Sequence, residues 1–316
     1  MENRYNMAIY EVISMKEQTK CRWMLIASMC IFGTIGIVRK YIPYPSSFVA
    51  LIRGIVGSIF LLAVVAFSRK RLDQNAIRRN ALLLLLSGAA IGFNWIFLFE
   101  AYNYTSVATA TLCYYLAPIL VILASPIVLK EKLTGKKAIC AAVALFGMVL
   151  VSGVTETGFD GISELKGVLF GIAAAVLYAS VILMNQKITS IGAYDKTISQ
   201  LAVASIVLLP YVLLTEDLRT YSFTALPLVL LGVAGVVHTG IAYWLYFGSM
   251  GNLKAQTVAL YSYLDPILAI LLSMLVLKEP MTVSAGIGAV MILGAAFVSE
   301  QETEPEEISS CFLFTY

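Results

Sequence analysis

One stretch of this chain occurs twice. Residues 115–131 read YLAPILVILASPIVLKE and residues 263–279 read YLDPILAILLSMLVLKE, with 12 of 17 positions identical and a spacing of 148 residues from Tyr115 to Tyr263. The shared positions include Pro118 and Pro266 and the closing Lys130-Glu131 and Lys278-Glu279, and Thr134 and Thr282 continue the match. A repeat of this kind constrains the fold more than any other feature, because each copy must be able to adopt the same supersecondary unit. The chain is therefore a duplicated unit of about 150 residues. The unit is also very apolar, and a duplicated apolar unit predicts a membrane transporter built from two halves.

Composition narrows the class further. Of 316 residues, 59% are hydrophobic and 13% charged, about half the charge of an average soluble domain. That much apolar surface calls for lipid as part of the solvent. The net charge of +3 is small and the basic residues fall in short loops, which speaks against a nucleic-acid partner. Cys21, Cys30, Cys113, Cys140 and Cys311 have no close cysteine neighbours, and His238 is the single histidine. Neither a metal site nor a disulfide framework is expected, and no cofactor is called for. The mixed, polar first 22 residues lack the form of a cleaved signal, so the first helix is expected to insert and stay.

Ten apolar runs approach the length of about 20 residues that crosses a bilayer as a helix. They cover Trp23–Val38, Ser46–Phe67, Ala81–Phe99, Val107–Leu129, Lys137–Gly153, Leu165–Gln186, Ile198–Leu214, Ala225–Gly248, Ala255–Leu277 and Thr282–Ser299. With the amino terminus inside, 16 Lys and Arg fall on the inner side and five on the outer, leaving Arg53 within a span. The positive-inside rule then puts both termini in the cytoplasm of a multi-pass cell-membrane protein. Five helices per copy is odd, so two copies in series must insert with opposite topology. The expected fold is an all-α membrane protein of ten transmembrane helices arranged as two inverted five-helix repeats. The parts are a cytoplasmic tail (1–22), a first repeat (23–153), a linker loop (154–164), a second repeat (165–299) and an acidic cytoplasmic tail (300–316).

The residues resemble the EamA-type transporters of the drug/metabolite transporter superfamily. The likeness runs from Pro45 and Arg53 (PSSFVALIRG) through Gly92-Phe93-Asn94, Ala101, Tyr104 to Ala108, Leu116-Ala117-Pro118 and Glu131 to Thr134, as far as Gly147. In the second half it includes Gly167, Ala179, Ala255, Pro266, Leu277-Lys278-Glu279 and Gly294. The resemblance implies a ten-helix carrier with a central cavity that moves amino acids, other metabolites or drugs, often outward. It also implies that the third, fourth, eighth and ninth helices take part in gating.

Ionisable groups in hydrocarbon are functional candidates because they must find a partner or line water. Asp265 is expected about ten residues into the ninth helix, about 15 Å deep, where the first copy has Ala117. It could bind a substrate amine or carry a coupling proton, or it could satisfy groups near the Pro266 kink or pair with Arg53. Arg53, in the second helix, could hold a carboxylate bidentately or serve as a structural tie. His238, in the eighth, could titrate or hydrogen-bond a neighbouring helix. Asn94 and Trp95 on the third helix, Tyr114 on the fourth, Tyr178 on the sixth and Tyr261 on the ninth are candidates to line the transport path, with Tyr243, Trp244 and Tyr246 on the eighth. Tyr261, Ser262 and Asp265 share a helical face by spacing. Cavity lining by Tyr and Trp suits an amphipathic solute, while interfacial anchoring suits any single aromatic equally. Pro118 and Pro266 are mid-helix bends and candidate hinges of alternating access. Gly167, Gly171, Ala174 and Ala175, and likewise Gly286, Gly288 and Gly294, make smooth faces for close helix packing.

These features point to a secondary transporter of small metabolites working by alternating access, with efflux of amino acids or related amphipathic solutes the first expectation. A drug or a sugar- or nucleoside-type carrier is the alternative within the class. A membrane-embedded enzyme would need a His, Asp and Glu cluster at one interface, and Glu131, Glu279, Glu156, Asp160 and Glu164 are scattered instead, so no catalytic residue is assigned. A non-transporting scaffold would have little loop surface to offer. No phosphate-binding loop is present for direct ATP coupling. Proton coupling, uniport and exchange all fit the chain, as does any oligomeric state.

Overall fold

Punctuation of the apolar sequence by Pro, Gly and capping residues sets the element order. The computed structural model describes residues 2–300 except 70, 129, 131–132, 152–161, 218, 220, 222, 251–260 and 263. Glu131, Ala255, most of the 154–164 loop and the 301–316 tail lie outside the described residues. Those described form helices and no strand. They are α1 (Glu2–Gly33), α2 (Ile35–Lys40), α3 (Ser46–Phe67), α4 (Gln74–Arg79), α5 (Ala81–Tyr104), α6 (Val107–Tyr114), α7 (Ala117–Val128) and α8 (Gly135–Val151) in the first half. The second half has α9 (Ile162–Lys187), α10 (Ala193–Thr215), α11 (Ala225–Gly235), a π-helical segment (Val236–Ile241), α12 (Ala242–Met250), α13 (Leu264–Leu275) and α14 (Val283–Glu300). Helix α1 reaches back to Glu2, through the region expected as a tail.

Among the described residues, seven helical stretches are long and apolar enough to cross a membrane: Glu17–Lys40, Ser46–Phe67, Ala81–Tyr104, Val107–Val128, Glu164–Lys187, Ala193–Thr215 and Ala225–Ser249. The protein is thus a multi-pass membrane protein, and the shorter helices α8, α13 and α14 pack among these spans. Two spans are not the continuous α-helices expected of them. The Val107–Val128 span breaks between α6 and α7 at Tyr115-Leu116. Pro118 is the physical cause, because it cannot donate to the Tyr114 carbonyl and its ring crowds that group. Pro118 is therefore not mid-helix but stands in the first turn of α7, where a missing N–H costs nothing. Pro266 is the third residue of α13, also within its first turn. In the Ala225–Ser249 span, the π-helical turn at Val236–Ile241 adds a residue and carries His238 and Thr239 inward.

The two halves interleave. Helix α5 packs on α9 and α10, α3 on α10 and the π segment, α1 on α12 and α13, α6 on α9 and α13, and α8 on α14. Each of these contacts joins one half of the chain to the other, so the apolar faces of each copy are buried by its twin. Small residues permit the approach. At the α8–α14 crossing, a Cβ on Gly288 would lie within van der Waals exclusion of the Gly147 carbonyl, and one on Gly147 would lie 2.9 Å from the Gly288 carbonyl. On α9, Gly167 faces Thr105, Gly171 faces Cys113, and Ala174 and Ala175 are fully buried. The expectation for α14 needs correction: Gly286 and Gly294 have no atom within 4 Å of a would-be Cβ, so of its three glycines Gly288 alone makes a close crossing. The duplication also shows in the backbone. Lys130 and Lys278 both have positive φ, 60° and 57°, at equivalent places in the two copies.

Candidate functional site

Arg53 lies in the middle of this bundle, 5% exposed, with no carboxylate within ion-pair distance among the described residues. Its Nε donates to Thr239 Oγ1 at 2.6 Å, and Thr239 in turn donates to the Ala234 carbonyl at 3.1 Å. The guanidinium carbon sits 4.4 Å from the centre of the Trp95 ring and 5.7 Å from that of Phe99. A buried guanidinium is tolerated where ring faces and hydrogen bonds replace part of its hydration. Tyr243, Tyr114, Tyr102 and Asp265 lie within electrostatic reach of it. Trp95 and Thr239 thus hold Arg53 in place.

Asp265 opens α13, with its backbone carbonyl seated against Gly33 of α1, only 2.8 Å from where a Cβ there would stand. Its Oδ2 accepts a hydrogen bond from the Tyr115 hydroxyl at 2.9 Å, and that hydroxyl also lies 3.3 Å from the Ser262 carbonyl. Tyr115 occupies the break between α6 and α7, so the proline that interrupts the span also aims this phenol across to the second half. Tyr102, Tyr114, Tyr115 and Tyr178 all lie within electrostatic reach of the Asp265 carboxylate. Tyr114 and Tyr178 stack with ring centres 5.1 Å apart at 20°, and Tyr114 meets Tyr115 edge-on at 6.1 Å. Asp265, Tyr114, Tyr115 and Tyr178 are all partly accessible. The result is an acid with aromatic walls, able to receive a cation or a hydrogen-bond donor.

The remaining expected residues are placed elsewhere. Asn94 is 3% exposed and donates from Nδ2 to the Ala174 carbonyl at 2.6 Å. It pins α5 to α9, because an amide deep in hydrocarbon is satisfied by the nearest carbonyl and is not left facing a cavity. His238 is 2% exposed; its Nδ1 faces the Val233 carbonyl at 3.3 Å and its Nε2 the Thr34 hydroxyl at 2.8 Å. It bridges the π segment to the joint between α1 and α2. Tyr261 is half-buried one turn before Asp265, and the phenol on the carboxylate is that of Tyr115. Arg53 and Asp265 form no ion pair. Sequence reasoning did not single out Tyr115, Thr239 or Thr34. Tyr115 carried a signal, being identical to Tyr263 in the duplicated stretch, whereas Thr239 and Thr34 look like ordinary small polar residues in apolar runs.

A model of the EamA-like transporter family matches the chain twice, over residues 19–153 and 165–300. The chain belongs to the EamA-like transporter family. Its relatives include a Bacillus subtilis (strain 168) protein named uncharacterized transporter YxxF, 28% identical over 311 residues, which cover 94% of this chain and 98% of that one. An uncharacterized transporter of Archaeoglobus fulgidus is 25% identical over 88% of this EamA chain and 95% of its own length. A solved crystal structure superposes with a TM-score of 0.63 at 19% identity, covering 88% of this chain and 96% of that one, and this likeness concerns the fold. The twofold match coincides with the two interleaved halves, and the Asp265–Tyr115 contact joins one match to the other.

Proposed function

We propose that this EamA-family protein is a secondary transporter that moves small amphipathic solutes bearing a cationic amine, amino acids among them, outward across the cytoplasmic membrane by alternating access. The observation that carries this reading is Asp265, which receives one phenol at 2.9 Å and has no ion-pair partner among the described residues. The stacked Tyr114 and Tyr178 beside it suit the apolar part of such a solute and add ring faces for its cation. Arg53 is spoken for by Thr239, Trp95 and Phe99, which moves recognition away from the carboxylate and towards the amine. Ten spans in two inverted repeats, with both termini in the cytoplasm, agree with the 16 to 5 distribution of Lys and Arg. Pro118, which opens α7 after the break at Tyr115-Leu116, and Pro266, in the first turn of α13, are the hinges in this reading.

Flux into proteoliposomes tests it. A panel of labelled amino acids, simple amines and nucleosides is supplied at equal pH and with an imposed pH gradient, to wild type and to Asp265→Asn. Saturable flux of amine-bearing members, lost in Asp265→Asn, is the expected result. Saturable nucleoside flux that survives Asp265→Asn would replace the amine reading with that of a neutral-solute carrier. A gradient dependence that Asp265→Asn abolishes while flux at equal pH persists would make Asp265 the coupling group.

A further inference from the structure

The half-helices α6 and α13 lie side by side, and polar contacts close them at both ends. At one end Tyr115, just past α6, meets Asp265 at the start of α13. At the other end a second carboxylate, Glu279, stands just past α13 and reaches back to the start of α6. Glu279 Oε2 accepts from the Val107 backbone N–H at 2.8 Å, and its Oε1 lies 3.1 Å from Lys40 Nζ at the end of α2. Ser273 of α13 holds Glu279 twice, its hydroxyl donating to Oε2 at 2.5 Å and its carbonyl accepting from the Glu279 N–H at 3.2 Å. Glu279 thus belongs mechanically to the second half of the chain and grips two elements of the first. The grip suits its target, since an anion is favoured at the start of a helix, where N–H groups lack partners. The Lys40 and Glu279 side chains are 29% and 18% exposed, on the wall of a cavity of about 350 Å³ also lined by Tyr104, Thr109 and Ala285. The eight residues of α6 separate this cavity from the tyrosine-lined acid by about 12 Å.

We propose that Lys40 and Glu279 are working residues of the transport cycle, forming a gate across the two halves that closes this face of the carrier and must break for solute to pass. This rests on the alternating-access reading. It differs from a static tie in that both charged side chains stay partly exposed on the wall of a cavity. The nearby Ser47–Glu216 contact, by comparison, joins α3 and α10, which pack along their lengths, and belongs to the scaffold.

The test is the rate at which a maleimide modifies Thr109→Cys in the cavity wall, in full-length purified protein, with the rate of the unsubstituted protein subtracted. Glu279→Gln keeps the side-chain shape and removes the charge; Lys40→Met removes the partner. Each is expected to raise the rate about fivefold, the effect of losing a partly screened pair on a two-state equilibrium. Glu216→Gln should leave it unchanged. An unchanged rate in either gate variant overturns the proposal, and so does an equal rise in Glu216→Gln, which would signify general loosening. The Lys40→Met arm stands if Glu279→Gln fails to fold. No solute is present in this measurement, so a failed flux panel leaves its outcome readable, and an unchanged labelling rate leaves the amine reading intact.

Discussion

Arg53 offers a quantitative test of how a charge is kept inside this bundle. Trp95→Leu removes the ring 4.4 Å from the guanidinium carbon while the charge stays buried. A desolvated cation–π contact with Trp is worth about 2 kcal/mol, and truncating the ring adds about 1–2 kcal/mol of lost packing. Trp95→Leu should therefore cost about 3–4 kcal/mol in the native background. Arg53→Met removes the charge itself. It loses the charged hydrogen bond to Thr239, worth about 1.5–3 kcal/mol, but relieves a desolvation cost of similar size. Thr239 keeps its own bond to the Ala234 carbonyl, so nothing is orphaned. Arg53→Met also forfeits the ring contact, so alone it should cost about 2 kcal/mol. In its background Trp95→Leu should cost only the packing part, a coupling of about 2 kcal/mol. The assay is a thermal or denaturant transition of wild type, both single variants and the double variant in the same detergent. Additivity within about 0.5 kcal/mol would refute the argument that the ring holds the charge.

Three further outcomes follow from the packing. Asn94→Leu, losing one interhelical bond in an otherwise satisfied place, should cost about 1 kcal/mol in the same transition and leave flux in place, whereas Asn94→Asp sets a carboxylate against the Ala174 carbonyl and should cost over about 3 kcal/mol. Gly288→Ala forces a methyl into the Gly147 carbonyl and should cost about 1–3 kcal/mol, while Gly286→Ala and Gly294→Ala, with open space before them, should be neutral or slightly stabilising. Pro118→Ala with Pro266→Ala restores a backbone donor at the start of each half-helix, so the spans stiffen; the flux rate should fall about tenfold with stability unchanged or raised, and an unchanged rate would remove the hinges.

The sequence by itself carried the class, the duplication and the family. Those are written in composition and in a repeat at fixed spacing, and both are one-dimensional properties. It also pointed to Asp265 and Arg53, because charge within an apolar run is visible without coordinates. Which groups answer those charges was a tertiary decision. The apolar runs show no clear second face, so nothing in them tells a helix surface that meets lipid from one that meets the other half of the chain. Only the interleaving of the two halves placed Trp95 over Arg53, Tyr115 on Asp265 and Glu279 on the start of α6. Asn94, a plausible cavity residue in one dimension, became a pin once Ala174 lay 2.6 Å away. The π turn that carries His238 and Thr239 inward has Gly235 before it and Gly240 within it, but glycines recur throughout these apolar runs, and only the seating of these two against Val56 and Phe60 of α3 gives them their meaning. The break at Tyr115 was legible in Pro118, but its use, aiming a phenol at a carboxylate 150 residues away, required the two copies to fold against each other.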